Sequence, residues 1–209
     1  MPSAATGWVV KEKKTLAANE QDPEARAAWW QEVSQLEPDT FVFVDEAGTH
    51  TAMTRSHARA PKGRRAYGSV PRNRGGNLTL LAALSTKQLQ AEWVIEGAVN
   101  GDVFVTWLEH VLLPTLTPGQ TVVMDNLSAH HRKDVRALVE AHDCSLLYLP
   151  PYSPDYSPIE LAFSKIKGQL KSLAARTKQA LTDAVAEACR TVSSADAAGW
   201  FRHCGYNLQ

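Results

Sequence analysis

The chain has 209 residues, 44% of them apolar, which is enough to bury the core of one sizeable domain. It contains no run of eighteen or more apolar residues and no apolar signal centre at its N-terminus, so we expect a soluble, cytoplasmic protein without a membrane segment. The three cysteines form no CxxC pair, so neither a disulfide framework nor a cysteine zinc site is predicted.

The net charge is zero, but the charges are segregated by sign along the chain. Residues 47–91 carry eight basic and no acidic side chains, and residues 161–182 carry five basic and no acidic ones. Such segments suit contacts with a nucleic-acid backbone, although two solvated protein surfaces would give the same pattern. The candidate DNA contacts are Lys62, Arg64, Arg65, Arg72, Arg74, Lys167 and Lys171.

The first half of the chain predicts a lead-in helix followed by a hairpin-rich sheet. A compact run of aromatic and β-branched residues at 41–44 favours a buried strand that ends at Asp45. Apolar spacing predicts a helix that Pro114 breaks, and a short apolar strand then runs directly into Asp125. The predicted elements are a helix at 23–36, strands at 41–44, 77–84 and 91–95, a helix at 102–113 and a strand at 121–124.

The second half predicts helices around one further strand and a rigid loop, PPYSPDYSP. Its elements are a helix at 130–141, a strand at 145–149 and helices near 159–175, 179–192 and 195–203. This order of elements is typical of an α/β domain with a mixed sheet covered by helices.

Asp45 and Asp125 are the first candidate functional residues, because each is predicted to close a buried strand. Functional groups of open α/β sheets gather at the carboxyl ends of strands. A buried carboxylate is costly to desolvate unless it is paired or binds a cation. Oxygen ligands without companion cysteines favour Mg²⁺ or Mn²⁺ over zinc.

Glu160 is a third candidate with a competing local interpretation. The run from Ser157 to Glu160 matches a capping box, with proline at the first helical position. Helical spacing places Glu160 on one face with Lys167 and Lys171, opposite an apolar face that includes Phe163 and Leu173. A metal ligand beside phosphate-binding lysines and a solvated helix face both fit this pattern.

Three segments resemble the signature blocks of the DDE transposases of the mariner superfamily, in its bacterial insertion-sequence branch. They are FVFVDE at 41–46, VVMDNLSAH at 122–130 and YLPPYSPDYSPIELAFSKIKGQLK at 148–171. The 34 residues between Asp125 and Glu160 match that family's spacing, and the likeness runs from about Lys11 to Lys171. The proline-rich block is the most specific of the three.

The resemblance implies a ribonuclease H-like mixed sheet flanked by helices, with Asp45, Asp125 and Glu160 as the catalytic, metal-binding triad. It implies two Mg²⁺ or Mn²⁺ ions in the DNA-bound state, cut-and-paste transposition into a short TA-containing target, and a homodimer that holds two DNA ends. Asn126 and His130 match a conserved block and are expected to support the ligands. An ordinary hydrogen-bonding role for His130 at a helix start stays open.

The implied division is a linker and lead-in helix at 1–40, a catalytic domain at 41–175 and C-terminal helices packed on it at 176–209. We expect a helix-turn-helix end-recognition module to be absent from the chain, which leaves open a fragment, a frameshifted second frame or a degenerate copy. The alternatives to a transposase are a non-catalytic DNA-binding or regulatory remnant and another ribonuclease H-like nuclease. Apolar periodicity predicts core or interface positions rather than base stacking for Trp29, Trp30, Trp93 and Trp107.

Overall fold

A computed structural model of the protein describes residues 18–73, 75–126 and 132–208. Within them, five strands form one sheet in the order β3-β2-β1-β4-β5. The strands are β1 (Phe41–His50), β2 (Asn77–Leu84), β3 (Leu89–Glu96), β4 (Thr121–Met124) and β5 (Ser145–Tyr148). The α-helices are α1 (Pro23–Val33), α2 (Gly101–Trp107), α3 (Lys133–Ala141), α4 (Pro158–Leu173), α5 (Lys178–Arg190) and α6 (Ser194–His203).

The sheet is mixed, as the order of elements predicted. β1 pairs antiparallel with β2, and β2 pairs antiparallel with β3. β4 pairs parallel with β1 on one side and with β5 on the other. The connections between the parallel strands run through helices, as parallel pairing requires.

Two apolar clusters cover the faces of the sheet. Phe41 and Phe43 point to the face on which α1, α4, α5 and α6 pack, whereas Val42 and Val44 point to the face covered by α2 and α3. This alternation follows from the two-residue period of a strand. β1 is therefore buried on both faces where it begins, as its apolar sequence predicted.

The prediction that the first strand ends at Asp45 is wrong. β1 continues to His50, because its second half pairs with β2 from Phe43 opposite Leu84 to His50 opposite Asn77. What ends near Asp45 is the parallel pairing with β4, whose last pair joins Phe43 and Val123. Asp45 thus lies where β4 leaves the sheet, in the middle of a long strand.

Two helices also differ from their predicted form. α2 ends at Trp107 and is followed by a wider π-helical turn at Leu108–Leu112 and a tighter turn at Leu113–Thr115. α4 ends at Leu173, which is 47% exposed instead of filling the core face, while Phe163 is buried as expected. No helix in the described part of the chain is long and apolar enough to cross a bilayer.

Candidate active site

The sheet brings Asp45 and Asp125 together where the parallel pairing of β1 with β4 ends, on the same face. Each acid lies two residues beyond the last parallel pair, Phe43 with Val123, and residues two apart on a strand point to the same side. Phe43 and Val123 both belong to the cluster under α4. The two carboxylates are therefore aimed toward the face that α4 covers, and both residues are half-buried.

Glu160 lies in the first turn of α4, directly after buried Ile159, and its side chain is exposed. The capping box that the sequence suggested does not form. The Ser157 side chain makes no capping hydrogen bond, and the Ser157 amide donates instead to the carbonyl oxygen of Pro154 at 3.0 Å. The start of the helix therefore does not use the Glu160 carboxylate.

Electrostatics connect the three acids. The pKa of Asp45 is raised to about 7, chiefly by burial and also by the negative charges of Glu160, Asp125 and the neighbouring Glu46. The opposing effect is a hydrogen bond from the Glu46 amide to Asp45 Oδ1 at 2.7 Å, which favours the ionised form. Ionised Asp45 thus lies in a partly desolvated place among like charges, a setting that a cation would relieve.

The same residues can be tested against a divalent metal. In residues 18–73, 75–126 and 132–208, no group of three His, Cys, Asp or Glu side chains is close enough to hold an ion by itself. Mg²⁺ commonly takes only one or two protein carboxylates and completes its shell with water and substrate phosphates. Asp45 and Asp125, both oxygen donors at one edge, could hold such an ion together with a DNA phosphate.

A contact that sequence reasoning missed fastens the loop before Glu160. Arg26 of α1 donates to both carboxylate oxygens of Asp155, at 3.1 and 2.6 Å, and to Ser153 Oγ at 2.7 Å. Its guanidinium carbon also lies 3.8 Å from the centre of the Tyr156 ring. The hydrogen bond and charge of Asp155 raise the pKa of Arg26, which favours the charged guanidinium.

Aromatic side chains hold the same loop from the core side. Trp29 stacks on Tyr156 with ring centres 5.5 Å apart, and Trp30 meets Tyr156 edge-on at 5.1 Å. The hydroxyl of Tyr206, near the other end of the chain, donates to the carbonyl oxygen of Tyr156 at 2.7 Å. Trp29 is a core residue and Trp30 is partly buried against that core, and both pack against the loop that leads to Glu160.

Asn126 and His130 were predicted to support the metal ligands, and Arg74 was predicted to contact DNA. Asn126 directly follows Asp125 and is exposed. His130 and Arg74 lie outside the described residues. The roles predicted for all three stay predictions.

Some side chains of the two basic segments bind other parts of the protein, and others make no such contact. Arg176 donates to the Thr51 and Met53 carbonyl oxygens, and Lys165 and Lys178 form ion pairs with Asp196 and Glu96. By contrast, several basic side chains make no ion pair or hydrogen bond within the described parts of the chain. These are Lys62, Arg64, Arg65 and Arg72, in the exposed segment between β1 and β2, and Lys167 and Lys171 on α4.

The chain belongs to the family of DDE superfamily endonucleases. The profile of that family matches residues 40–182, more than half of the chain and the part that contains all three acids. A search of curated proteins found no match.

Solved structures of the Mos1 transposase share the fold. The paired-end complex with the left transposon end is 14% identical over 94% of this chain and 63% of that chain, with a TM-score of 0.71. The mariner Mos1 paired-end complex with Mg is 15% identical over 95% of this chain and 63% of that chain, with a TM-score of 0.70. The Mos1 catalytic domain is 13% identical over 87% of this chain and 83% of its own length, with a TM-score of 0.59. The predicted ribonuclease H-like fold is therefore confirmed, and the chain spans 63% of the longer Mos1 chains.

Proposed function

We propose that the chain is the catalytic domain of a DNA transposase of the mariner superfamily, from its bacterial insertion-sequence branch. The acids that perform the reaction are Asp45, Asp125 and Glu160. The observation that carries the proposal is the electrostatic coupling of Asp45 to both other acids, from β1 to the end of β4 and to the start of α4. These are also the acids that the sequence blocks single out at family spacing.

The chemistry is metal-dependent displacement at a phosphodiester. Two bound Mg²⁺ or Mn²⁺ ions would supply Lewis-acid activation of the attacking and leaving oxygens. Asp45 and Asp125 would hold this charge where β4 leaves the sheet, and Glu160, in the first turn of α4, would join them when the ions and DNA bind. Because the pKa of Asp45 is about 7, loading of the site competes with a proton on that carboxyl group.

The product of the first displacement is a nick with a free 3′-hydroxyl, which the same site can direct at a second phosphodiester to join an element end to its target. The exposed cations between β1 and β2 and on α4 would hold the DNA backbone, which positions the duplex without reading its sequence. The similar Mos1 structures are paired-end and strand-transfer complexes of that protein. For this chain we propose a homodimer on DNA, with end recognition supplied by a separate helix-turn-helix module.

The decisive experiment combines a nicking assay on intact DNA and on RNA–DNA hybrids with a strand-transfer assay on pre-cleaved element ends, all in Mg²⁺ or Mn²⁺. It compares the wild-type chain with Asp125→Asn, which keeps the shape of the side chain and removes its charge. Asp143→Asn is the matched control, because Asp143 is exposed and its positive φ of 55° is one that asparagine tolerates.

We expect metal-dependent nicking and joining by the wild type and by Asp143→Asn, and background levels with Asp125→Asn. Wild-type rates in Asp125→Asn would refute the triad. DNA binding without any cleavage by the wild type would support the non-catalytic remnant instead. Preferential cutting of RNA–DNA hybrids would support another ribonuclease H-like nuclease.

A further inference from the structure

The loop between β5 and α4 is fastened by a residue far outside the three signature blocks. We propose that Arg26 is a positioning residue, which through Asp155 fixes the first turn of α4 and so the place of the Glu160 carboxylate. This inference rests on the proposed function and goes beyond it, because it assigns part of the active-site geometry to α1.

Arg26 makes the kind of contact that fixes an orientation. Its two-point pairing with Asp155 is directional, because the planar guanidinium matches both carboxylate oxygens at once. A third donor contact, to Ser153 Oγ, and the position over the Tyr156 ring bind the same cation to three residues of the loop. Lysine could supply the charge but neither the fork nor the flat face.

The loop transmits this anchoring to Glu160 through a short chain of backbone hydrogen bonds. The Tyr156 amide donates to Ser153 at 3.1 Å, the Ser157 amide to Pro154 at 3.0 Å and the Glu160 amide to Ser157 at 3.2 Å. Pro154 and Pro158 limit the backbone freedom between these bonds. A displacement of Asp155 is therefore passed on to the first turn of α4.

The loop needs such an anchor because part of its surroundings is open. A cavity of about 320 Å³, lined by Tyr156, Glu160 and His203 among others, borders it next to the candidate site. Packing therefore does not hold this side of the loop. Arg26, whose side chain is only 16% exposed although Asp155 is 55% exposed, ties the loop to the core helix α1.

The test combines a hydrogen-exchange measurement on the metal-free protein with steady-state nicking kinetics. The variants are Arg26→Ala, Arg26→Lys, Asp155→Ala and the double variant Arg26→Ala with Asp155→Ala. Arg136→Ala is the matched control, since Arg136 forms an exposed ion pair with Glu140 on α3. Arg26→Lys keeps the experiment decisive should Arg26→Ala fold poorly.

We expect faster amide exchange at residues 153–160 in Arg26→Ala and Asp155→Ala, but not in the control. Misplacement of a reacting group by about 1 Å can cost 100-fold, so kcat should fall by roughly 10- to 100-fold while the KM for DNA stays within about twofold. Arg26→Lys should fall between wild type and Arg26→Ala. The kcat of the double variant should be no lower than that of the slower single variant, because both substitutions remove the same contact.

Any of three results in Arg26→Ala would overturn the inference, and the first two are unchanged exchange at 153–160 and an unchanged kcat despite faster exchange. A higher KM with a normal kcat would also overturn it, because this would make Arg26 a DNA contact. A wild-type chain that does not nick refutes the proposed function. If the wild type nicks DNA and Arg26→Ala nicks it equally fast, only the positioning role is refuted.

Discussion

Asp45 and Glu160 carry carboxylates that repel each other across the contact between β1 and α4. Burial is the main reason that the pKa of Asp45 is raised to about 7, and the charges of Glu160 and Asp125 add to it. The folded, metal-free protein therefore contains a carboxyl group that titrates near neutral pH. This gives the candidate site a measurable effect on stability, even in the absence of DNA.

Stability of the metal-free protein should decline as the pH rises from about 4 to about 7. The ordinary pKa of 3.8 applies in the unfolded chain, so between 3.8 and 7 the folded state holds a proton that the unfolded state has lost. Asp45→Asn removes this cost, and we expect it to raise the free energy of unfolding at pH 8 by about 1–3 kcal/mol. Urea unfolding in EDTA at pH 8 and pH 4.5 measures the difference.

The gain from Asp45→Asn should shrink toward zero at the lower pH, where Asp45 is protonated in the folded protein. Asp143→Asn, at an exposed turn, is the control and should show no comparable dependence on pH. An equal gain at both pH values would contradict a raised pKa of Asp45.

DNA affinity should depend steeply on salt through the exposed cations between β1 and β2. Each phosphate contact contributes about 0.9 to the slope of log affinity against log salt on duplex DNA. Replacing Lys62, Arg64, Arg65 and Arg72 together with alanine should make that slope shallower, by the contribution of up to about four phosphate contacts. Fluorescence anisotropy over a salt series measures it, with Arg190→Ala on α5 as a control outside both basic segments. A slope unchanged by the fourfold substitution would remove this segment from the DNA surface.

Alanine variants of Arg176 and Lys171 should have opposite effects, because we expect Arg176 to stabilise the fold and Lys171 to bind DNA. Arg176→Ala loses hydrogen bonds to the Thr51 and Met53 carbonyl oxygens and to Thr54 Oγ1, at 2.9, 3.0 and 2.8 Å. We expect it to lower the free energy of unfolding by about 1–3 kcal/mol. Exposed Lys171→Ala should stay within about 0.5 kcal/mol of wild type but weaken DNA binding. Denaturant unfolding and anisotropy on both variants test this, and the reverse ranking would contradict it.

Ala174→Gly should stabilise the protein. Ala174 ends α4 in the left-handed conformation, with φ 51° and ψ 43°, which costs a residue with a Cβ atom about 1–2 kcal/mol. Glycine avoids this cost but gives back part of the gain through the greater freedom of the unfolded chain. We expect a net rise of up to about 1 kcal/mol, or about 2–4 °C in Tm for a chain of this size. A lower Tm would mean that the Ala174 methyl group packs more usefully than its half-buried position indicates.

The sheet was largely predictable because its strands carry their own signals. β2 and β4 have the predicted bounds, since TVVM and NLTLLAAL are apolar runs with clear ends. The second half of β1 was not predictable, because Glu46 and Gly48 do not look like strand residues. Pairing with β2 makes that segment a strand, and such long-range pairing leaves no local pattern.

The site was predictable only in part, for a related reason. Asp125 could be placed at a strand end from its neighbours alone, and the triad stays a prediction that the raised pKa of Asp45 supports. The capping box at Ser157 was wrong, because the loop offers the Ser157 amide a backbone partner that the sequence pattern cannot reveal. Arg26 and Asp155 are 129 residues apart, so no spacing rule connects them.

The ring of contacts around Tyr156 also decides how much of the chain a minimal active fragment must keep. A piece trimmed to the family match at 40–182 would retain Asp45, Asp125 and Glu160. It would lose Arg26 and Trp29 at one end and Tyr206 at the other, and with them the partners that hold the loop. Shortened versions made for crystallography or inhibitor screening should therefore include α1 and extend through Tyr206, or they will present Glu160 after an unsupported loop.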